Sequence, residues 1–273
     1  MKLGFIDYYL NEFHANHYPE WLRCSADEPV EIYAWAETEK NQTTDEWCAE
    51  HGAISCESIE EVCRKADYIL LLSPDNPEKH LGYAEKILPF RKPTFIDKTF
   101  APDLATAKEI FALAKKYGTP MFSSSSLRFA KEFAEYKGKA THVLAEGGGG
   151  HFDVEVIHPL EMCAFFMGNG AESLYTERIG QTLTVLVRYP DGRRATVYFS
   201  VRCHGLGYRA AVCTEEGKKF VSAEGNFFRS MCDAMVEFFR SGEAPVSPED
   251  TLEAIRLRDA VLGCDGEWVK TEK

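Results

Sequence analysis

The sequence predicts an α/β first part, a doubly wound parallel sheet, followed by an α+β part with a mostly antiparallel sheet. Three observations carry this. Through residue 122, short apolar runs alternate with helical periodicity, the pattern of a parallel sheet with helices on both faces. One of these runs, Ala66–Leu72, is apolar almost throughout, as a strand buried on both faces requires. From residue 183 onward the apolar residues switch to a period of two, which marks half-buried strands. The expected domains are residues 1–122 and 123–273, with the terminal helix able to pack back on the first.

Taken in order, Lys2–Ile6 and Val30–Ala36 open the parallel sheet, Ala66–Leu72 follows, and Pro93–Ile96 and Met121–Phe122 complete it. Ser58, with Glu61 three residues on, offers a capping box. Asp103–Tyr117 has helical spacing and ends at Gly118, which suits a C-cap. A helix is expected over Leu127–Tyr136 and a strand over Thr141–Ala145. Gly147–Gly150 reads as a flexible connection, because glycine tolerates left-handed backbone. Ile157–Met167 reads as a helix. Leu183, Val185 and Val187, then Ala195, Val197 and Phe199, alternate with polar neighbours on either side of Asp191-Gly192, a hairpin signal. Tyr208–Cys213 and Lys219–Ser222 flank a turn at Glu216-Gly217. Helices over about Asn226–Arg240 and Pro248–Cys264 close the pattern, the second opened by Ser247 as cap and Pro248 at the first helical position.

The chain has 273 residues, 43 acidic and 31 basic, for a formal net charge of −12. That surplus argues against nucleic acid or an anionic membrane surface as a partner. No apolar run approaches the roughly twenty residues that span a bilayer. The first apolar stretch meets Asp7 too early for a signal peptide. Nine cysteines, an odd number without any Cys-x-x-Cys, read as dispersed thiols of a reducing compartment. A cytoplasmic protein is expected.

Residues just past the strand ends are the place to look for chemistry. Ser73-Pro74 and His80 follow the Ala66–Leu72 run, and Asp97-Lys98-Thr99-Phe100-Ala101 follows Pro93–Ile96. A lysine beside an aspartate at a strand end suits a proton donor and an anchor for a substrate oxygen; the plainer reading is a solvated pair. These motifs, followed by Arg128-Phe129 and by the stretch Ser241–Asp250 (S-G-E-A-P-V-S-P-E-D) between the last two helices, resemble the Gfo/Idh/MocA family of nicotinamide-dependent oxidoreductases. The family pattern has a T-P…H turn, an E-K-P motif, an Arg-Phe pair and an "sG.aPvspED" loop. The resemblance spans most of the chain in the same order. Between Arg128-Phe129 and the glycine run the chain is shorter than the family's second domain usually is.

The resemblance implies a Rossmann-type first domain, NAD or NADP as cofactor, and a hydride moved to or from a hydroxyl carbon of a small polyhydroxy substrate of sugar or cyclitol type. It assigns Lys98 to the nicotinamide and the substrate hydroxyl, and His158 to acid/base work, with Glu161 at the final acid of a D-x-x-x-H-x-x-D motif. Val154 stands where that motif has its first acid, with Asp153 one residue away. Asp7, Tyr8, Glu37, Ser73, Pro74 and Asp97 fall at cofactor-binding positions, and Arg128 and His158 at the substrate. Arg128 orients substrate or pairs with an acid. The resemblance also implies a homo-oligomer built through the C-terminal sheet. One departure is large: the glycine fingerprint after the first strand is replaced by Asp7-Tyr8-Tyr9-Leu10-Asn11-Glu12, acids where a pyrophosphate approaches. Val154 and this turn define the alternative, a ligand-sensing or regulatory relative that has lost standard dinucleotide binding. Asp7, Glu12, His14 and His17 match no zinc spacing, and no metal is expected.

Overall fold

The structure is a computed structural model and describes residues 1–202 and 207–271. It divides into two units, Met1–Ser124 with Phe228–Pro248, and Ser125–Phe227 with Glu249–Lys273.

The first unit is built on a six-stranded sheet of β1 (Lys2–Asp7), β2 (Glu31–Ala36), β3 (Ile54–Ser55), β4 (Tyr68–Leu71), β5 (Thr94–Ile96) and β6 (Met121–Phe122). The spatial order is β3-β2-β1-β4-β5-β6 and every pairing is parallel. Strand order reverses between β1 and β4, which makes the carboxyl ends of β1, β4 and β5 the natural ligand edge. Helices α1 (Phe13–Ser25), α2 (Thr44–His51), α3 (Ile59–Lys65), α4 (His80–Ile87) and α5 (Leu104–Tyr117) connect the strands. Gly4 lets α3 lie against β1: a Cβ there would stand 2.6 Å from Val62 and 2.8 Å from Ile69. Ser58 caps α3 by accepting from the Glu61 N–H. The reciprocal half of the expected box is absent, because the Glu61 carboxylate turns to the N–H of Glu57 instead. The complete box belongs to α2, where Thr43 and Glu46 cap each other. Asp103 caps α5, and Gly118 ends it in the left-handed region at φ 68°.

The second unit carries a seven-stranded sheet of β7 (His142–Gly149), β8 (Ser173–Ile179), β9 (Thr182–Arg188), β10 (Arg194–Val201), β11 (Arg209–Thr214), β12 (Gly217–Ser222) and β13 (Trp268–Lys270). Its order is β12-β11-β7-β10-β9-β8-β13, antiparallel except where β7 meets β10. One face buries Val143, Ala145, Val185, Val197, Phe199 and Val212, as the period of two requires. Helix α6 (Phe152–Glu155) leads into α7 (Ile157–Met167), which packs on that sheet.

Three expectations are corrected here. Leu127–Tyr136 is not one helix but two short 3-10 turns, Ser126–Phe129 and Ala134–Tyr136. The glycine run is not a loose connection. Gly147–Gly149 continue β7, opposite Phe199–Val201 of β10, and side chains there would collide with Tyr208 at Gly147 and with Glu155 at Gly149. The element that returns to the first unit is α8 (Phe227–Ser241), from Phe228 onward, while the terminal helix α9 (Pro248–Leu262) stays in the second. The reason is the apolar stripe of α8 at Met231, Met235, Phe238 and Phe239. In the first unit Phe238 meets Phe122 edge-on at 4.9 Å, and Phe239 stacks on Tyr68 at 5.1 Å.

Candidate functional site

In the first unit the ends of β1, β4 and β5 bring six predicted residues together: Asp7, Tyr8, Ser73, Pro74, Asp97 and Lys98. Asp7, at the last position of β1, is buried, and its Oδ1 accepts from the Tyr8 N–H at 2.7 Å and from Ser73 Oγ at 3.0 Å. Ser73 follows β4 with a positive φ of 66°, a conformation costly for a non-glycine residue. Its hydroxyl, which also accepts from Tyr8 N at 2.8 Å, holds it there. Asp97, just past β5, accepts the N–H of Lys98 at 2.7 Å on Oδ1 and meets His14 Nδ1 with Oδ2. Both members of that His14–Asp97 pair are buried. Lys98 is 8% exposed, so it is no solvated loop lysine. Pro74 accepts the N–H of Thr99 at 3.3 Å, and His80 lies between the carbonyls of Leu72 (2.6 Å) and Phe100 (3.0 Å). These contacts staple the loop after β4 to the loop after β5.

The electrostatics at this edge are unusual. Burial, then the nearby Glu12 charge, pushes the Asp7 carboxyl well above the ordinary carboxylate range. Burial also raises Glu12, against the pull of His14. Glu12 is the N-cap of α1 and accepts from the N–H groups of His14 (2.7 Å) and Ala15. Glu37 joins the same edge through its N–H, which donates to the Asp7 carbonyl at 3.1 Å; Lys79 and Tyr83 each donate to its carboxylate at 2.6 Å and hold it below the usual range. Of the four residues weighed as a metal set, His17 is turned to the Phe13 carbonyl at 2.6 Å. Among the described residues no group of three or more His, Cys, Asp or Glu is placed to hold a metal ion.

The second unit holds the other group. Glu161, buried on α7, accepts the Ser125 N–H at 2.8 Å and lies 3.4 Å from Arg128 Nε. Ser125 Oγ meets His158 Nδ1 at 2.8 Å. One serine thus joins the histidine and the acid that helical spacing had placed on one face of α7. Arg128 is committed to acids: besides Glu161 it donates to the Asp250 carbonyl at 3.2 Å and lies 3.9 Å from the Asp250 carboxylate. Of the two roles open to it in the sequence, ion pairing is the one the geometry displays. Asp153 is exposed on α6, where its carbonyl accepts from Arg258 at 3.0 Å, and no described contact joins it to His158. Glu155, its neighbour, caps the same turn by accepting from the His151 N–H.

Two residues escaped sequence reading. Ser125 lay within the polar run Ser123–Ser126 at a strand end, a signal too general to select one serine. His14 was visible only as a histidine on a helix; its partner is 83 residues away.

No protein-family model matches the chain. A curated relative, the "Uncharacterized oxidoreductase YhhX" of Escherichia coli (strain K12), is 34% identical over 79 residues, 29% of this chain and 23% of that protein. The match therefore spans under a quarter of the relative's length. Among solved structures, a probable dehydrogenase from Thermotoga maritima superposes with TM-score 0.82 at 18% identity, covering 99% of both chains. The myo-inositol dehydrogenase of Lactobacillus casei, in complex with NAD(H) and myo-inositol, gives TM-score 0.84 at 13% identity, covering all of this chain and 97% of that one. The UDP-N-acetylglucosamine 3-dehydrogenase GnnA of Acidithiobacillus ferrooxidans gives 0.79 at 12%, covering 97% of both. The chain thus has the two-domain fold of nicotinamide-dependent dehydrogenases, a Rossmann-like sheet joined to a mostly antiparallel one. That is the fold which the resemblance to the Gfo/Idh/MocA family implied.

Proposed function

We propose that this chain is an oxidoreductase that moves a hydride between NAD(P) and a hydroxyl carbon of a small polyhydroxy metabolite, of sugar or cyclitol type. The observation that carries the reading is Lys98, a buried cation one residue past β5, its backbone pinned by Asp97 and its loop stapled by His80. A cation so held is suited to anchor and polarise a substrate oxygen. His158, its Nδ1 held by Ser125 Oγ, takes or returns the hydroxyl proton. Glu161 and Arg128 position Ser125. The names of the structural neighbours and of the partial relative support the class of reaction.

Bound NAD(P) supplies the hydride donor or acceptor. Ser73, Pro74, Asp97 and Lys98 suit its nicotinamide end, with Asp7 and Tyr8 in the turn beside them. Glu37 suits the adenosine ribose: a carboxylate has about four acceptor sites, and Lys79 and Tyr83 engage it without exhausting them. The β1–α1 turn fits the pyrophosphate poorly, since the Glu12 carboxylate already takes the helix donors of His14 and Ala15. Self-association through the exposed face of the second unit's sheet, where Leu144, Leu186 and Phe220 are exposed, is part of the same proposal, as is a cytoplasmic location.

The test is titration calorimetry with NAD(H) and NADP(H), then turnover of a panel of polyols. Saturable binding of one pair is expected, and Lys98→Ala should lower turnover by about 10²–10⁴-fold with the circular dichroism unchanged. Retained turnover removes Lys98 from its role. No saturable binding of any of the four cofactors at millimolar concentration sinks the dehydrogenase reading and leaves a ligand-sensing relative.

A further inference from the structure

An anion at a helix N-terminus is held by backbone N–H groups that the helix itself leaves without acceptors. In this chain two of those donors are spent internally. The Glu12 carboxylate takes the N–H groups of His14 and Ala15 at the start of α1. Tyr8 N is taken by Asp7 Oδ1 and Ser73 Oγ, and Glu12 N by the Leu10 carbonyl at 2.8 Å. Beside them Asp7 is 1% exposed, and its Oδ2 has no hydrogen-bond partner among the described residues. A buried carboxyl oxygen without a partner calls for a ligand group that completes its hydrogen bonding. A pyrophosphate is acceptor-only at neutral pH, so at the start of α1 its oxygens would meet the Glu12 carboxylate, acceptor facing acceptor and charge facing charge. A ribose hydroxyl or a carboxamide both donates and accepts, and so serves either protonation state of that Asp7 oxygen.

We infer that Glu12 stands in for the pyrophosphate at the N-terminus of α1, so that the nicotinamide half of the cofactor carries the affinity and the adenylate half adds little. The inference rests on the dehydrogenase reading, which it deepens by naming the residue that sets dinucleotide affinity. It follows that removing the Glu12 charge strengthens binding of the whole dinucleotide and leaves the mononucleotide unaffected. Glu12→Gln keeps an acceptor for the helix donors and so preserves the cap; Glu12→Gly uncovers them.

The experiment is calorimetry of the wild type and both variants with NADH, with reduced nicotinamide mononucleotide and with inorganic pyrophosphate, after circular dichroism shows that each variant is folded. In the wild type the two nicotinamide ligands should bind within about tenfold of each other, and pyrophosphate should not bind. Both variants should tighten NADH by about tenfold, the size of one anion at a helix N-terminus, with the mononucleotide unchanged. Glu12→Gly should also acquire pyrophosphate binding. If the mononucleotide binds but NADH is a hundredfold tighter in the wild type, or if neither variant changes NADH affinity, the assignment of Glu12 falls while the dehydrogenase reading stands. If neither nicotinamide ligand binds to any of the three proteins, both fall together.

Discussion

Replacing Glu161 by Ala should cost the second unit about 3–5 kcal/mol, the range for breaking a buried ion pair from one side. The structure sets that magnitude. The Glu161 and Arg128 side chains are each 4% exposed and stand 3.4 Å apart, so neither charge has water to fall back on. The change leaves the Arg128 guanidinium with Asp250 as its charge partner among the described residues, 3.9 Å away and with its side chain 21% exposed. It also strips the buried Ser125 N–H of its acceptor, a loss of about 1–3 kcal/mol by itself. Asp250 offsets part of the charge, which keeps the sum within the ion-pair range. Glu161→Gln preserves the acceptor for Ser125 and should cost less than Glu161→Ala. Removing both charges, as in R128M/E161M, should cost less than Glu161→Ala, because no buried charge is then stranded. Urea titration followed by circular dichroism measures the three losses, and amide hydrogen exchange locates them in the second unit. A cost for Glu161→Ala below about 1 kcal/mol, or a double variant as damaged as the single, would refute this account of the Arg128–Glu161 pair.

Two further outcomes follow from other features of the molecule. Burial holds the Asp7 carboxyl well above its usual range, so folding favours its protonated form. The stabilisation is complete below the unfolded value of about 3.9 and is lost as pH rises through the folded one, at about 1.4 kcal/mol for each tenfold difference in proton affinity. Asp7→Asn should therefore flatten the decline of the first unit's denaturation midpoint above about pH 4 and leave it more stable near neutrality; a slope equal to that of the wild type would show that Asp7 is ionised in the fold. Sedimentation of the wild type should give a species larger than one chain, and changing Phe220 and Leu144 to Lys should return it to a monomer. A monomeric wild type removes the sheet face as an interface.

Much of the fold was legible because its signals are local. An apolar run such as Ala66–Leu72, the period of two in Leu183–Val187, and the caps Asp103 and Gly118 each state their structure within a few residues. Where the expectations failed, the deciding partner was remote. Gly147–Gly149 look flexible in sequence, yet β10 pairs with them and Tyr208 and Glu155 fill the space their missing side chains leave. Helix α8 belongs with the first unit because its stripe finds Phe122 and Tyr68, more than a hundred residues earlier. The candidate site divides in the same way. Lys98, one residue past a strand end, and His158, three residues before Glu161 on a helix, were readable as candidates from position, spacing and the family resemblance. That Ser125 joins His158 to Glu161, that His14 meets Asp97, and that Glu12 turns its carboxylate onto the start of α1 could be decided only by the tertiary structure. The sequence by itself determined which elements form and which chemistry their ends carry. Only folding determined which donors and acceptors are already spent, because a hydrogen bond depends on where two groups lie in space and burial depends on everything packed around them.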